Sequence, residues 1–186
     1  MGKESRDLRL LTADQYARLD DDGNYRTELE RGRLIREPRP GEIHGTLVIR
    51  MGHYLFEFVE QHGLGRVMAD IGVITERDPD TVRGPDLAFT SHARMNVYPQ
   101  PGFLGSAPDL CVEILSPSNR ASRMLQKVVE YLDAGARLVW VIDPIRKSAT
   151  EYRSKSDIRI LGLNDSLEGY DVLPGFELPL SRLFAL

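Results

Sequence analysis

A chain of 186 residues, 41% hydrophobic and 28% charged, is long enough for one domain with a substantial core and short for two. No apolar run approaches the ~20 residues of a membrane-spanning helix, so membrane insertion is excluded. The net charge of −4 offers no global field for gathering nucleic acid, though it leaves room for a local basic cleft.

The single cysteine, Cys111, cannot form an internal disulfide, and the opening "MGKESRDLRL" lacks the apolar stretch of a secretory signal. A cytoplasmic location is expected, with residues 1–10 as a flexible N-terminus on a single domain, 1–186. In "LTADQYARL", Thr12 and Gln15 have capping-box spacing, and Leu11 with Tyr16 suits a hydrophobic staple, so a short helix opens the fold. "DDDGN" breaks it. "YRTELERGRLIRE" alternates around Arg31-Gly32 and predicts a hairpin with Tyr25, Thr27 and Leu29 on one face, Glu28 and Glu30 on the other.

"IHGTLVIRMGHYLFEFVEQHG" places Leu47, Met51, Tyr54, Leu55 and Phe58 on one helical face and ends at Gly63. "GRVMADIGVITE" and "TVRGPDLAFTS" follow as two strands joined by the turn "RDPD", an antiparallel pair. Residues 91–108 hold three prolines and two glycines without a clear period, and such loops tend to be functional; this one is expected to form an interface or a substrate lid. A strand from "PDLCVEILSPS", a helix over 120–134 with Leu125, Val128, Val129 and Leu132 inward, and the strand "RLVWVID" then make a parallel crossover. Edge strands from "EYRSKSDIRIL" onward and a short helix near "SRLFAL" complete the chain.

The pattern of "PDLCVEILSPS" is unusual. Leu110, Val112 and Ile114 line one face while Cys111, Glu113 and Leu115 line the other, so both faces are apolar except at Glu113. That is a central strand covered on both sides, and an ionised carboxylate buried there without a partner costs several kcal/mol. A cation, a metal ion or a structural salt bridge must compensate it. Glu113 lies ~10 Å below Ser116 at the strand's end. A helix starting near Ser122 has descended ~7 Å by Lys127, whose long stem covers the remainder.

Asp86 opens the preceding strand; if that strand runs antiparallel beside Glu113's, Asp86 falls opposite its C-terminal half. Two acids and a lysine so placed suit a divalent metal with a cation beside it, and oxygen ligands favour Mg²⁺ or Mn²⁺ over zinc. Blander readings stand beside this one: a buried Glu113–Lys127 ion pair, Asp86 as a turn former after proline, and Glu28 as an exposed hairpin residue. His44 is read first as a helix cap, with phosphate binding or a place in the site as alternatives. His53, His62 and His92 lack metal-ligand spacing.

"YRTELERGRL", "GPDLAF", "PDLCVEILSPS", "KVVEYLDAGARLVWVIDP" and "LPGFELPLSRLF" together resemble, in order, the blocks of a bacterial family of putative restriction endonucleases. The resemblance spans about residues 11–186. It implies the PD-(D/E)xK nuclease fold: a restriction-endonuclease-like α/β core, with a central mixed sheet flanked by helices and an N-terminal hairpin. It also implies metal-dependent hydrolysis of DNA phosphodiester bonds, with Mg²⁺ (or Mn²⁺) on Asp86 and Glu113, and Glu28 as the acid of the N-terminal block. The lysine of the (D/E)xK pattern is missing, since Leu115 stands there, and Lys127 matches the lysine that family members take from the following helix. Arg123 departs from the acid often found one turn earlier. Arg120 and Arg123 near the helix start are candidates for gripping a backbone phosphate. A homodimer is expected, since nucleases acting on duplexes often mirror their two-fold symmetry. The alternative is a nuclease-like scaffold that has lost catalysis and acts in DNA binding or protein association.

Overall fold

Arg31 and Gly32 both take positive φ, 47° and 73°, the geometry of a two-residue turn whose twist matches its flanking strands. They join β1 (Tyr25–Glu30) to β2 (Arg33–Pro38) as the alternation predicts. A computed structural model describes residues 10–20, 23, 25–95, 102–117 and 121–185. Helix α1 (Ala13–Tyr16) is short and carries both bonds of the Thr12/Gln15 capping box. The N-terminal residues expected to be flexible lie outside the described residues save Leu10, as do residues 96–101 of the expected interface or lid loop. None of the described helices is long and apolar enough to cross a membrane.

Helix α2 (Glu42–His62) buries Leu47, Met51, Leu55 and Val59 and ends on Gly63 at φ 58°. The two strands expected next are four. The first run divides into β3 (Gly65–Ala69) and β4 (Val73–Glu76), the second into β5 (Thr81–Arg83) and β6 (Leu87–Ser91). Both β4–β5 and β3–β6 pair antiparallel, so the anticipated ribbon is present, but it bends and passes from one sheet to another. At one bend only glycine fits: a Cβ on Gly72 would lie 2.1 Å from the Phe103 ring. Asp86 lies at the other bend, between β5 and β6.

The larger sheet has the order β10-β9-β8-β7-β6-β3, with β7 (Leu110–Ile114) and β8 (Leu138–Asp143) parallel and the other pairs antiparallel. Strand β7 is interior and every residue of it is buried. Leu110, Val112 and Ile114 join the core under α2, and Cys111 joins the core under α3 (Ala121–Asp133). Of the tail strands, β9 (Ser148–Tyr152) is interior and β10 (Ile158–Leu161) forms the edge of this sheet. The pair β11 (Ser166–Glu168) and β12 (Glu177–Pro179) and helix α4 (Leu180–Leu183) close the chain.

The smaller sheet, β2-β1-β5-β4, also packs against α3, with Lys127 on Glu28 of β1 and Glu130 on Arg83 of β5. This changes which face of α3 is inward. Met124, Lys127, Val128 and Tyr131 are buried, whereas Leu125, expected inside, is 52% exposed. A stripe drawn through apolar residues alone leaves out Lys127; its burial against facing carboxylates turns the helix from the expected setting.

Candidate active site

In the β6–β7 register Leu87 stands opposite Val112, so one step further along the ribbon Asp86 meets Glu113. The Asp86 side chain accepts the Ile114 amide at 2.7 Å, which ties the bend between the sheets to the end of β7. The other Asp86 oxygen accepts from Arg26 of β1, and His44, in the first turn of α2, lies 3.2 Å from Oδ2. His44 is therefore inside the helix as a partner of Asp86, and the N-cap expected of it is Gly41. Burial opposes ionisation of Asp86, but His44, Arg26 and the Ile114 amide outweigh it and bring the carboxyl down to about 2.

Lys127 arrives at the height the helical rise predicts. Its Nζ is 2.7 Å from Glu113 Oε1 and 2.8 Å from Glu28 Oε1. Tyr131, one turn later on the same face, donates to Glu113 Oε1 at 2.7 Å. Glu28 is buried, not the exposed hairpin residue of the blander reading. It also takes the Gly84 amide at 3.0 Å and Arg83 Nη1 at 3.1 Å.

The two glutamates sharing Lys127 titrate in opposite directions. For Glu113, burial and the charges of Asp86 and Glu28 outweigh the ammonium and push it up to about 7. Burial also acts against the Glu28 charge, but Lys127, Arg83 and the Gly84 amide hold it below the ordinary range. Burial favours a neutral Lys127 amine; Glu113 and Glu28 reverse this and keep it a firm cation.

Lys127 thus joins Glu28 to Glu113, and Asp86, Glu113, Lys127 and His44 line a narrow cleft of about 20 Å³, walled by Arg26, Glu37, Pro38, Pro40, Ile114 and Ser116. That is room for roughly one water-sized sphere. Arg123 stands apart, paired with Glu37 at 3.1 Å, and Arg120 lies outside the described residues. Arg26, Arg83 and Tyr131 were not singled out by sequence reasoning. The signals were there: Arg26 shares the alternating face of Glu28, and Tyr131 follows Lys127 by four residues.

Among the described residues no group of three or more His, Cys, Asp or Glu side chains gathers as a ligand set. Two carboxylates remain, Asp86 ionised and Glu113 repelled by its neighbours, and Glu113 Oε2 takes no hydrogen bond from the described residues. Two carboxylates, with water and phosphate oxygens completing the shell, suit Mg²⁺ or Mn²⁺. They do not suit a closed four-ligand zinc site.

No curated protein matches the chain. Its fold is shared with the crystal structure of a putative nuclease belonging to DUF820 from Anabaena variabilis, at a TM-score of 0.80 and 20% identity, over 94% of this chain and 97% of that one. The profile of the Uma2 family, described as putative restriction endonuclease, matches residues 13–181. With an α/β architecture of mixed sheet and flanking helices, and a family match over nearly its whole length, the chain belongs to the Uma2 family of putative restriction endonucleases.

Proposed function

We propose that this protein is a metal-dependent endonuclease that hydrolyses DNA phosphodiester bonds, with Asp86 and Glu113 holding Mg²⁺ or Mn²⁺ and Lys127 and Glu28 completing the site. The observation that carries the reading is the meeting of Asp86 and Glu113 in one cleft beside a buried lysine. Family membership supports a nucleic acid as substrate.

A divalent cation bound to the two carboxylates supplies Lewis acidity toward the scissile phosphate and lowers the pKa of bound water. The chain's own side chains do the rest. As the water oxygen loses a proton to solvent and bonds to phosphorus, and the leaving oxygen departs and takes a proton from solvent, negative charge grows on the phosphate oxygens, and Lys127 offers them a fixed positive charge in a low-dielectric cleft. Lys127 stays protonated, so it acts through charge and not as a proton acceptor. Arg26 and His44 keep Asp86 ionised and aimed. In this reading Arg123 exchanges Glu37 for a backbone phosphate, Arg120 is a second phosphate contact, and two protomers act on the two strands of a duplex.

One observation favours the inactive scaffold: the carboxylates already have cations, with Lys127 on Glu28 and Glu113, and Arg26 on Asp86. The test incubates purified protein with supercoiled plasmid and linear duplex in Mg²⁺ or Mn²⁺, beside Glu113→Ala. Metal-dependent cleavage by the unaltered protein alone is expected. Cleavage that survives in the variant would rule this site out, and no metal binding at millimolar concentration would favour the scaffold.

A further inference from the structure

Helix α3 meets three strands of the smaller sheet in their spatial order. Arg123 bonds Glu37 of β2 at 3.1 Å, Lys127 bonds Glu28 of β1 at 2.8 Å, and Glu130 bonds Arg83 of β5 at 2.5 and 3.0 Å. Neighbouring strands lie ~4.8 Å apart. Steps of four and three residues along a helix advance about 6.0 and 4.5 Å. The two spacings match closely enough for each charged residue to find its own strand, and Lys127 is the middle rung.

The Arg83 rung differs from the others. Its side chain is 0% exposed, and its guanidinium bonds Glu28, Glu30 and Glu130 together. In the β1–β5 register Leu29 stands opposite Val82, so Arg83 stands opposite Glu28. Glu28 therefore has Oε2 on Arg83 and Oε1 on both the Gly84 amide and Lys127. Neither of its oxygens is free to turn away.

We propose that Arg83 is a positioning residue of the site: its planar fork fixes Glu28 on the sheet and Glu130 on the helix, and so sets where the Lys127 ammonium stands beside Glu113. Only the consequence for turnover rests on the nuclease reading. The placement of Lys127 does not. Lysine cannot replace Arg83, because three donors on one nitrogen do not span three carboxylates that five donors in a plane reach at once.

The test compares Arg83→Lys, Arg83→Gln, Glu28→Gln and the double variant Arg83→Gln/Glu28→Gln in DNA cleavage. Both Arg83 variants are expected to lower kcat at least tenfold with KM for DNA unchanged, the scale on which small misplacements act. The double variant is expected to be no slower than the slower single one, because Arg83 acts through Glu28. A purely structural Arg83 would instead leave kcat per folded molecule unchanged, or be rescued by lysine, and either result overturns the proposal. Isotope-labelled lysine gives a readout independent of activity. The chain has four lysines, Lys3, Lys127, Lys147 and Lys155, and the Lys127 side-chain NMR signal is expected to move in Arg83→Gln, which adds no lysine of its own. If the Arg83 variants fail to fold, the nearly isosteric Glu130→Gln carries the same two readouts. Should the unaltered protein cut nothing, a displaced Lys127 signal upholds the positioning role and only the nuclease reading falls; an unmoved signal overturns the positioning role itself.

Discussion

Asp86 and Glu113 stand one step beyond the last paired residues of β6 and β7, with the Ile114 amide donated to Asp86 at 2.7 Å. Two acids from different elements are thus held together by backbone register. Their environments separate them: Arg26, His44 and the Ile114 amide hold Asp86, while Glu113 shares one ammonium with Glu28.

Asp86→Asn removes the charge that faces Arg26 in a buried setting. A loss of about 2–4 kcal/mol in stability is expected, the lower part of the range because Arg26 keeps some access to water. Urea denaturation measures it. An unchanged midpoint would show that the pair contributes nothing net.

Glu113 makes stability pH-dependent with a definite sign. Its native pKa of about 7 lies above the ordinary 4.5, so between those values the native state binds the proton that the unfolded chain releases. Its contribution is full below the ordinary value and is lost as pH rises through about 7. The size is on the order of 3 kcal/mol. Glu113→Gln is expected to flatten stability between pH 5 and about 7.5. Asp86 works in the opposite sense, adding stability above its ordinary pKa that disappears as pH falls through about 2.

Divalent metal is expected to raise the melting temperature, by the equivalent of about 2.7 kcal/mol at a hundredfold excess over Kd. The effect should grow from pH 6 to pH 8, because the cation displaces the Glu113 proton. Thermal melts of Asp86→Asn and Glu113→Gln in Mg²⁺ and Mn²⁺ are expected to show no shift. A shift retained in both would place the metal elsewhere.

Tyr131→Phe deletes one donor to Glu113 and leaves Lys127 in contact. A cost of about 1.5–3 kcal/mol is expected for a buried hydrogen bond to a charged group. Because Glu113 loses a partner, its pKa should rise further, which NMR of the carboxyl carbon reads directly.

Much of this arrangement was legible in the chain. Alternation in "PDLCVEILSPS" marks a strand buried on both faces with an acid in it, and strand and helix rise alone bring Lys127 to that level. The alternation of "YRTELERG" even puts Arg26 beside Glu28. What stayed hidden was pairing at long range. Glu28 reads as an ordinary hairpin acid until β5 is placed beside β1 and Arg83 opposite it. Leu125 reads as core until α3 has a second, charged sheet to face.

Local chemistry determined the elements, the buried acid and its height relative to the lysine, because residue spacing along a strand or helix is a fixed length. Tertiary structure decided the rest: the ribbon's split at Gly72 and Asp86 between two sheets, the tie of Arg123 to Glu37, and Arg83 among three carboxylates. These depend on which strands become neighbours and in what register, and no single stretch of the chain contains both sides of that contact.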